Sequence, residues 1–233
     1  MFAFFRSITC ALLDAVLPSP VTIALEETPW QPDAAHAYCT RCGSSTGFGE
    51  AKADGCARCS EVRFPWARVT RLGAWEAPLT AFIGAMKYRQ HWAWAPYFGG
   101  HLAESLRLDA PAAPVVVCVP MHWMRRLERG YNQAELIAEK LAKAQGWPYA
   151  RPLKRARNDP KQMSLSRNQR LLHARGAYAL RRNAKAQVNG RHMILVDDVL
   201  TTGATLRQCA RLLRRAGAAS VHVAVVAVSD RKK

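Results

Sequence analysis

The strongest constraint on the fold lies in residues 194–206, ILVDDVLTTGATL, where an apolar segment leads directly into two acids and a turn of small residues. An apolar run of this kind predicts a β-strand that is buried on both faces of a sheet. Leucines at helical spacing after the turn predict a helix over residues 203–216. Because ligands of open α/β sheets bind where strands end, this strand, turn and helix predict a binding site.

The chemistry of the turn favours an anion, and in particular a phosphate. The N–H groups of the turn and of the first helical turn have no partner within the helix, and Thr201, Thr202 and Thr205 add hydroxyl donors. The adjacent carboxylates of Asp197 and Asp198 fit as acceptors for the hydroxyls of an attached sugar, with a bound Mg²⁺ offsetting phosphate charge. A capped helix start explains one or two of these residues but not the whole run.

Further apolar segments around this run predict a parallel sheet. Residues 115–119 and 220–228 are rich in valine and predict two more buried strands, and residues 130–146 predict a helix between strands. This order of strand, helix and strand predicts an α/β fold with crossover helices.

Residues 80–108 predict helix with one break. Two cations there, Lys87 and Arg89, are equally consistent with phosphate contact and with a solvated helix face. An aromatic cluster follows, and we interpret it as core with base stacking as the alternative; its members are Trp92, Trp94, Tyr97 and Phe98.

Two C-x-x-C pairs predict a metal site. Cys39 and Cys42 form the first pair, and Cys56 and Cys59 form the second after 13 intervening residues. Four thiolates complete the tetrahedral shell of Zn²⁺ and leave no position for water, so the metal is expected to be structural. Two disulfides or a redox-active pair are the alternatives. The remaining cysteines, interpreted as small buried apolar residues, are Cys10, Cys118 and Cys209.

The N-terminal segment and the cysteine pairs suggest a division into three parts. Residues 1–17 predict an amphipathic helix that docks on the rest of the protein, in preference to a membrane span or a signal peptide. Four prolines in residues 18–38 predict a linker or irregular loop. We therefore expect an N-terminal helix and linker up to residue 38, a zinc-binding subdomain over residues 39–70 and the main domain over residues 71–233.

Charge is concentrated in the second half of the chain. The formal net charge is +17, and residues 121–233, with 24 basic and 7 acidic side chains, account for all of it. This distribution predicts contact with phosphates, on a small ligand or along a nucleic acid, although a solubilising basic surface is the alternative. A hydrophobic content of 49% excludes a disordered chain, and 7 cysteines are too few for a disulfide-stapled secreted scaffold, so a cytoplasmic location is expected.

The run VDDVLTTGAT resembles the phosphoribosyl pyrophosphate (PRPP) motif of type I phosphoribosyltransferases. The full set of motifs resembles the ComF family: the cysteine pairs, VPMH at 119–122, RGYNQ at 129–133, and QMSLSR at 162–167 with Arg170. The resemblance covers residues 39–230 approximately. It implies an α/β, type I phosphoribosyltransferase fold, a mainly parallel sheet with flanking helices, preceded by a small zinc-binding subdomain with four cysteine ligands.

The resemblance also implies roles for individual residues. Asp197 and Asp198 would act as catalytic residues that hold the ribose hydroxyls. The 5′-phosphate would bind Thr201, Thr202, Gly203, Ala204 and Thr205. The pyrophosphate would lie at Met121 and His122, with Arg125, Arg126 and Arg129 close behind. Residues 155–170 would form a loop over the substrate, with Arg157, Lys161, Arg167 and Arg170 as further candidates to neutralise pyrophosphate. For His122, a structural role and a role as general acid or base both remain open.

Two functions follow from the resemblance. In the first, a pocket for PRPP and Mg²⁺ serves the uptake or cytoplasmic handling of single-stranded DNA during natural transformation, with a DNA-uptake helicase or channel as a further partner. In the second, the protein is an active phosphoribosyltransferase that transfers ribose 5-phosphate from PRPP to an unidentified acceptor. The concentration of basic charge favours the first function.

Overall fold

A computed structural model describes residues 19–47, 55–89, 91–106, 113–156 and 177–230. The predicted helix over residues 1–17 and Cys10 lie outside these residues. So do four of the candidate pyrophosphate ligands, namely Arg157, Lys161, Arg167 and Arg170.

The described residues form a five-stranded parallel sheet of order β1-β7-β6-β2-β3, together with an antiparallel pair, β4 and β5. The strands of the sheet are β1 Arg68–Ala74, β2 Val115–Cys118, β3 Tyr149–Ala150, β6 His192–Leu200 and β7 Ser220–Val228, and the pair consists of β4 Leu153–Arg155 and β5 Tyr178–Leu180. The parallel α/β architecture expected from the sequence is confirmed.

Helices cover both faces of the sheet. They are α1 Pro20–Glu27, α2 Leu79–Tyr88, α3 Trp94–Ser105, α4 Trp123–Arg129, α5 Gln133–Gln145, α6 Ala184–Val188 and α7 Ala204–Arg215, with a short 3-10 helix at Ala35–Ala37. The predicted break falls between α2 and α3. Among the described residues, no helix is both long and apolar enough to cross a membrane.

The core has two layers because both faces of the sheet are covered. On one face, α2, α3 and α5 pack around Trp94 and Phe98, which confirms that most of the aromatic cluster is core, although Trp92 is 59% exposed. On the other face, α7 buries Leu206, Cys209 and Leu213. Because helices cover both faces of β6 and β7, residues on both faces of these strands are mostly apolar.

The expectation of an irregular linker over residues 18–38 is wrong at α1. The Ser19 hydroxyl caps this helix by accepting a hydrogen bond from the N–H of Thr22 at 3.1 Å, and Pro20 occupies the first turn, where its missing N–H costs nothing. Val21 of α1 is buried in the core. The prolines therefore start a helix here and do not prevent one.

Strand β1 carries a buried arginine. Arg71 is 2% exposed, and its guanidinium donates to Asp33 at 2.7 Å, to the carbonyl oxygen of Gly43 at 2.8 Å and to the Ser45 hydroxyl at 2.9 Å. One side chain thus joins the segment after α1, the first cysteine turn and the edge of the sheet.

Candidate functional site

The site predicted from the sequence lies at the carboxyl end of β6. This strand continues through both acids to Leu200, and α7 begins after a turn that ends at Gly203, whose φ is 73°. A Cβ at Gly203 would lie 3.3 Å from Leu200 Cδ1. Both the positive φ and this close contact explain why glycine stands at the turn.

The turn surrounds a small cavity of about 50 Å³. All five residues predicted to hold a 5′-phosphate line it, and so does Asp197; the five are Thr201, Thr202, Gly203, Ala204 and Thr205. The Thr202 hydroxyl accepts a hydrogen bond from the N–H of Ala204 at 3.2 Å, so this side chain supports the turn itself.

A larger cleft of about 240 Å³ adjoins this cavity, because Asp197 and Thr205 line both. The structure brings together in the cleft seven of the predicted residues, namely Asp197, Asp198, Thr205, Met121, His122, Arg125 and Arg129. Arg126 does not line the cleft; it lines a neighbouring cavity and pairs with Glu135 at 3.3 Å. Predicted residues from two distant chain segments therefore face one space.

The two acids have different environments. Asp198 is 7% exposed, and its Oδ2 lies 3.0 Å from the Lys87 ammonium and accepts a hydrogen bond from Gln133 Nε2 at 2.6 Å. Asp197 Oδ1 accepts from the N–H of Asp198 at 2.9 Å. Burial, and next the Asp198 carboxylate, raise the pKa of Asp197 to about 8. Asp198 is thus held by a cation, whereas burial beside a second carboxylate disfavours the charged form of Asp197.

Sequence reasoning misses how Asp198 is held. For Lys87 the sequence leaves phosphate contact and a solvated face equally open, but the structure places its ammonium inside the cleft against Asp198. Gln133 belongs to the RGYNQ segment, yet no local pattern links it with an aspartate 65 positions away. Only the resemblance that singles out RGYNQ points towards this residue.

His122 caps α4. Its Nδ1 accepts a hydrogen bond from the N–H of Met124 at 3.1 Å, so the neutral ring carries its proton on Nε2. Burial, followed by the charges of Arg155 and Arg125, lowers the pKa of His122 and favours this neutral form. The side chain is buried, and Nε2 has no hydrogen-bond partner within the described ranges. The geometry supports the structural interpretation of His122.

The four cysteines of the two C-x-x-C pairs converge on one point. All four Sγ atoms lie within 4.8 Å of one another, with 3.8 Å from Cys39 to Cys59 and 3.7 Å from Cys42 to Cys56. Zn–S bonds of about 2.3 Å in a tetrahedron place sulfurs about 3.8 Å apart. The donor set therefore fits a structural zinc ion, and these distances are far too long for disulfide bonds.

Backbone groups favour the thiolate form of one cysteine of the cluster, Cys39, whereas burial raises the pKa values of Cys42 and Cys59. Burial opposes ionisation of Cys39, but the N–H groups of Cys42, Arg41 and Cys56 outweigh it and lower the pKa of this thiol to about 7. With four sulfurs present, no coordination position remains for water or a substrate, so the cluster fits a structural and not a catalytic role.

Comparison with known proteins relates the chain to one domain family and to proteins named for DNA utilization and competence. Residues 100–233 match the phosphoribosyl transferase domain family. The DNA utilization protein YhgH of Salmonella typhi is 30% identical over 191 residues, which cover 79% of this chain and 81% of that protein. Competence protein F of Haemophilus influenzae is 30% identical over 194 residues, which cover 80% and 82%. A solved glutamine PRPP amidotransferase from B. subtilis, complexed with ADP and GMP, is 25% identical with a TM-score of 0.42 over 58% of this chain and 26% of that chain. The domain match and the extent of both relatives show that the chain belongs to the ComF family of proteins with a phosphoribosyl transferase domain, as its motifs predict.

Proposed function

We propose that the protein binds PRPP with Mg²⁺ at the carboxyl ends of β6 and β2, and that it serves the handling of single-stranded DNA during natural transformation. The observation that carries the proposal is the continuity of the phosphate-sized cavity with the cleft through Asp197 and Thr205. The names of the relatives, a competence protein and a DNA utilization protein, support the link with DNA.

We infer a place for each part of the ligand from the residues that line the two spaces. The 5′-phosphate would lie in the small cavity, where it accepts hydrogen bonds from the turn N–H groups and from the Thr205 hydroxyl. The ribose hydroxyls would face Asp197 and Asp198. The pyrophosphate would lie towards Met121, with Arg125 and Arg129 on the same wall of the cleft.

The donor set of the cleft fits Mg²⁺, which prefers carboxylate and phosphate oxygens and keeps several waters. Asp197 and Asp198 supply the carboxylates. When bound, Mg²⁺ would neutralise charge on the pyrophosphate. Because Lys87 already pairs with Asp198, ligand hydroxyls would compete with this ammonium, and the pair keeps Asp198 oriented before a ligand binds.

Calorimetry with a matched pair of threonine variants tests PRPP binding. Thr205→Val removes the hydroxyl from the second residue of α7, and we expect PRPP affinity with Mg²⁺ to fall roughly 10- to 100-fold, the usual effect of losing a hydrogen bond to a charged group. Thr80→Val makes the same change at the second residue of α2, which lies outside the cleft, and should leave affinity unchanged. Equal affinity of both variants, or no binding by the native protein, would refute the proposal.

Helix α4 supports the DNA-binding part of the proposal. Its seven residues include three arginines, and three large apolar side chains on it, Trp123, Met124 and Leu127, are 46–73% exposed. A helix that carries both cations and exposed apolar groups suits a single strand, whose phosphates contact the cations while its bases stack. The basic second half of the chain adds attraction over longer range.

The salt dependence of DNA binding distinguishes binding at α4 from nonspecific attraction to the basic surface of the protein. We expect oligothymidylate binding, measured by fluorescence anisotropy, to weaken steeply between about 50 and 200 mM salt. The double variant Arg125→Gln/Arg129→Gln should reduce the slope of log affinity against log salt by about 1.4, or ~0.7 for each lost phosphate contact. Arg211→Gln/Arg215→Gln removes the same charge from exposed positions of α7 as a control. Identical slopes for both double variants would place the strand elsewhere.

The transferase alternative concerns the same cleft. Cleavage of the bond between ribose C1 and pyrophosphate passes through an oxocarbenium-like state, and arginines such as Arg125 and Arg129 would stabilise the departing charge. Incubation with PRPP, Mg²⁺ and candidate acceptors should then release pyrophosphate in the native protein and not in Asp198→Ala. PRPP binding without pyrophosphate release would favour the binding function over the transferase.

A further inference from the structure

A second cavity is also lined by Pro120, Met121 and His122. Its volume is about 470 Å³, within the range of sites for nucleotide-sized ligands. Strand β4, the residue after β5 and the start of α4 form its walls. It shares Met121, His122 and Arg155 with the 240 Å³ cleft, so the two spaces are neighbours.

The charge of this second cavity is strongly positive. Among the residues that the structure describes, five cationic side chains line it and Glu135 is the one acidic lining residue. Glu135 is already neutralised, because Arg126 lies 3.3 Å and Arg151 lies 2.5 Å from its carboxylate. The other three cations, Lys154, Arg155 and Arg181, have no carboxylate partner among the residues that the structure describes. Three cations facing one space without counter-charge favour a ligand with several negative charges.

Two further groups, His122 Nε2 and the Trp123 indole, indicate that the ligand is larger than a simple anion. His122 Nε2 is a buried donor without an acceptor in the described part of the chain, between this cavity and the cleft. A buried donor left without a partner is costly, and a ligand oxygen would satisfy it. At the rim, Trp123 is 61% exposed and offers an indole face on which a base can stack.

From these observations we propose that the second cavity binds the phosphates of a nucleoside di- or triphosphate whose base stacks on Trp123, at the same time as PRPP occupies the cleft. A single phosphate would leave most of the volume empty and most of the cations unpaired. The cations converge on one concave space, whereas the backbone of a nucleic acid requires them along an extended groove. The site therefore fits a compact polyphosphate better than a strand.

Calorimetry with ADP tests simultaneous binding. ADP is titrated into the native protein, first without other ligands and then after saturation with PRPP and Mg²⁺, and one ADP should bind per chain in both cases. If PRPP displaces ADP competitively, or if ADP gives no binding heat, the second site does not exist as proposed. The first titration contains no PRPP, so its result tests the ADP site alone. Failure of PRPP to bind would overturn the proposed function of the cleft but would not affect this result.

Matched double variants locate the ADP site. Lys154→Ser/Arg181→Ser removes two unpaired cations, and we expect ADP affinity to fall at least about tenfold while PRPP affinity is retained. Arg182→Ser/Lys185→Ser makes the same charge change at exposed positions outside the cavity and should retain ADP affinity. Circular dichroism and thermal midpoints check that both variants are folded. Equal losses in the two double variants would refute the location.

The role of Trp123 has its own readout. Trp123→Ala should weaken binding of ADP several-fold and leave binding of inorganic tripolyphosphate unchanged, because only ADP carries a base. Equal affinity of this variant and the native protein for ADP would remove the base from the proposal. If oligothymidylate displaces tripolyphosphate from the site and ADP does not, the ligand is a DNA strand and the proposal is wrong.

Discussion

At the scale of single residues, Arg71 helps to attach residues 33–45 to the sheet. Its guanidinium bonds to Asp33 in the segment after α1 and to Gly43 and Ser45 in the first cysteine turn, 26 to 38 positions before Arg71. An arginine in a strand is ordinarily expected at the solvent face, which is one reason why sequence reasoning misses β1. The requirement for this cation comes from partners brought near by the fold, and no local pattern reveals them.

Replacing Arg71 should destabilise the protein. Arg71→Ala leaves the Gly43 carbonyl and the Asp33 carboxylate without their donor, and because Asp33 remains partly exposed we expect a loss of about 3 kcal/mol, the lower end for a broken buried pair. The control Arg68→Ala, on the same strand but exposed, should change stability by less than about 0.5 kcal/mol. Urea unfolding of both variants measures the difference, and similar midpoints would contradict the role of Arg71.

His222 should make stability depend on pH. Burial, and next the charge of Arg68, lower the pKa of His222 to about 4, and its Nε2 lies 2.9 Å from the Thr70 hydroxyl. In the unfolded chain the ring binds a proton below about 6.5, so its contribution is lost as pH falls from about 6.5 to 4, by roughly 3 kcal/mol in total.

The pH dependence can be assigned with two histidine variants. The free energy of unfolding of His222→Gln should decline less steeply across this window than that of the native protein. His91→Gln, at an exposed position, should follow the native curve. Parallel curves for all three proteins would show that His222 titrates in the same way folded and unfolded.

At the scale of elements, the turn between β6 and α7 requires a glycine at position 203 and also forms the proposed phosphate site. Gly203→Ala forces an L-residue to a φ of 73° and brings its Cβ to 3.3 Å from Leu200 Cδ1. We expect a loss of about 1–2 kcal/mol in stability together with weaker PRPP binding, because the turn N–H groups move. Gly84→Ala in α2 meets no atom within 4 Å and should instead stabilise by about 0.5–1 kcal/mol. Unchanged PRPP affinity of Gly203→Ala would separate the turn from the ligand.

The way in which each element is stabilised explains whether it could be predicted from the sequence. Strands β6 and β7 carry apolar runs because their residues are buried in both layers of the core, and helix α7 carries an apolar face because it packs on one of these layers, so their sequences report their structure. Helix α4 buries none of its residues and is defined by the His122 cap and by Gly130 at a φ of 79°. Because α4 has no buried face, its sequence shows no apolar periodicity. Its position beside the cleft is therefore visible only in the folded structure.

The same distinction applies to the candidate site. Asp197, Asp198 and the threonine turn lie within one continuous segment, so their grouping is visible in the sequence. Lys87 and Gln133 reach Asp198 from α2 and α5, and their contribution depends on how those helices pack against the sheet.

At the scale of the whole molecule, residues that follow the cysteine cluster pack beside the turn that is proposed to hold the phosphate. The Arg207 guanidinium of α7 lies 4.6 Å from the Phe64 ring centre, and a Cβ at Gly203 would lie 3.6 Å from the Trp66 ring. Ser45 N–H also donates to Asp230 at the end of β7, at 3.1 Å. A change in the cysteine cluster therefore has a short path, through Phe64 and Trp66, to the turn.

Loss of a zinc ion from the cysteine cluster should consequently weaken the proposed phosphate site. In Cys56→Ser one of four ligands is exchanged for a poor zinc ligand, and we expect loss of bound zinc, a lower thermal midpoint and PRPP binding about tenfold weaker, or ~1.4 kcal/mol. Cys118→Ser alters a thiol outside the cluster and should retain both zinc and PRPP affinity. Metal analysis, thermal unfolding and calorimetry on the same preparations distinguish the outcomes. Zinc-free protein with native PRPP affinity would show that the turn holds its shape independently of the cysteine cluster, and that the packing of Phe64 and Trp66 does not couple the two.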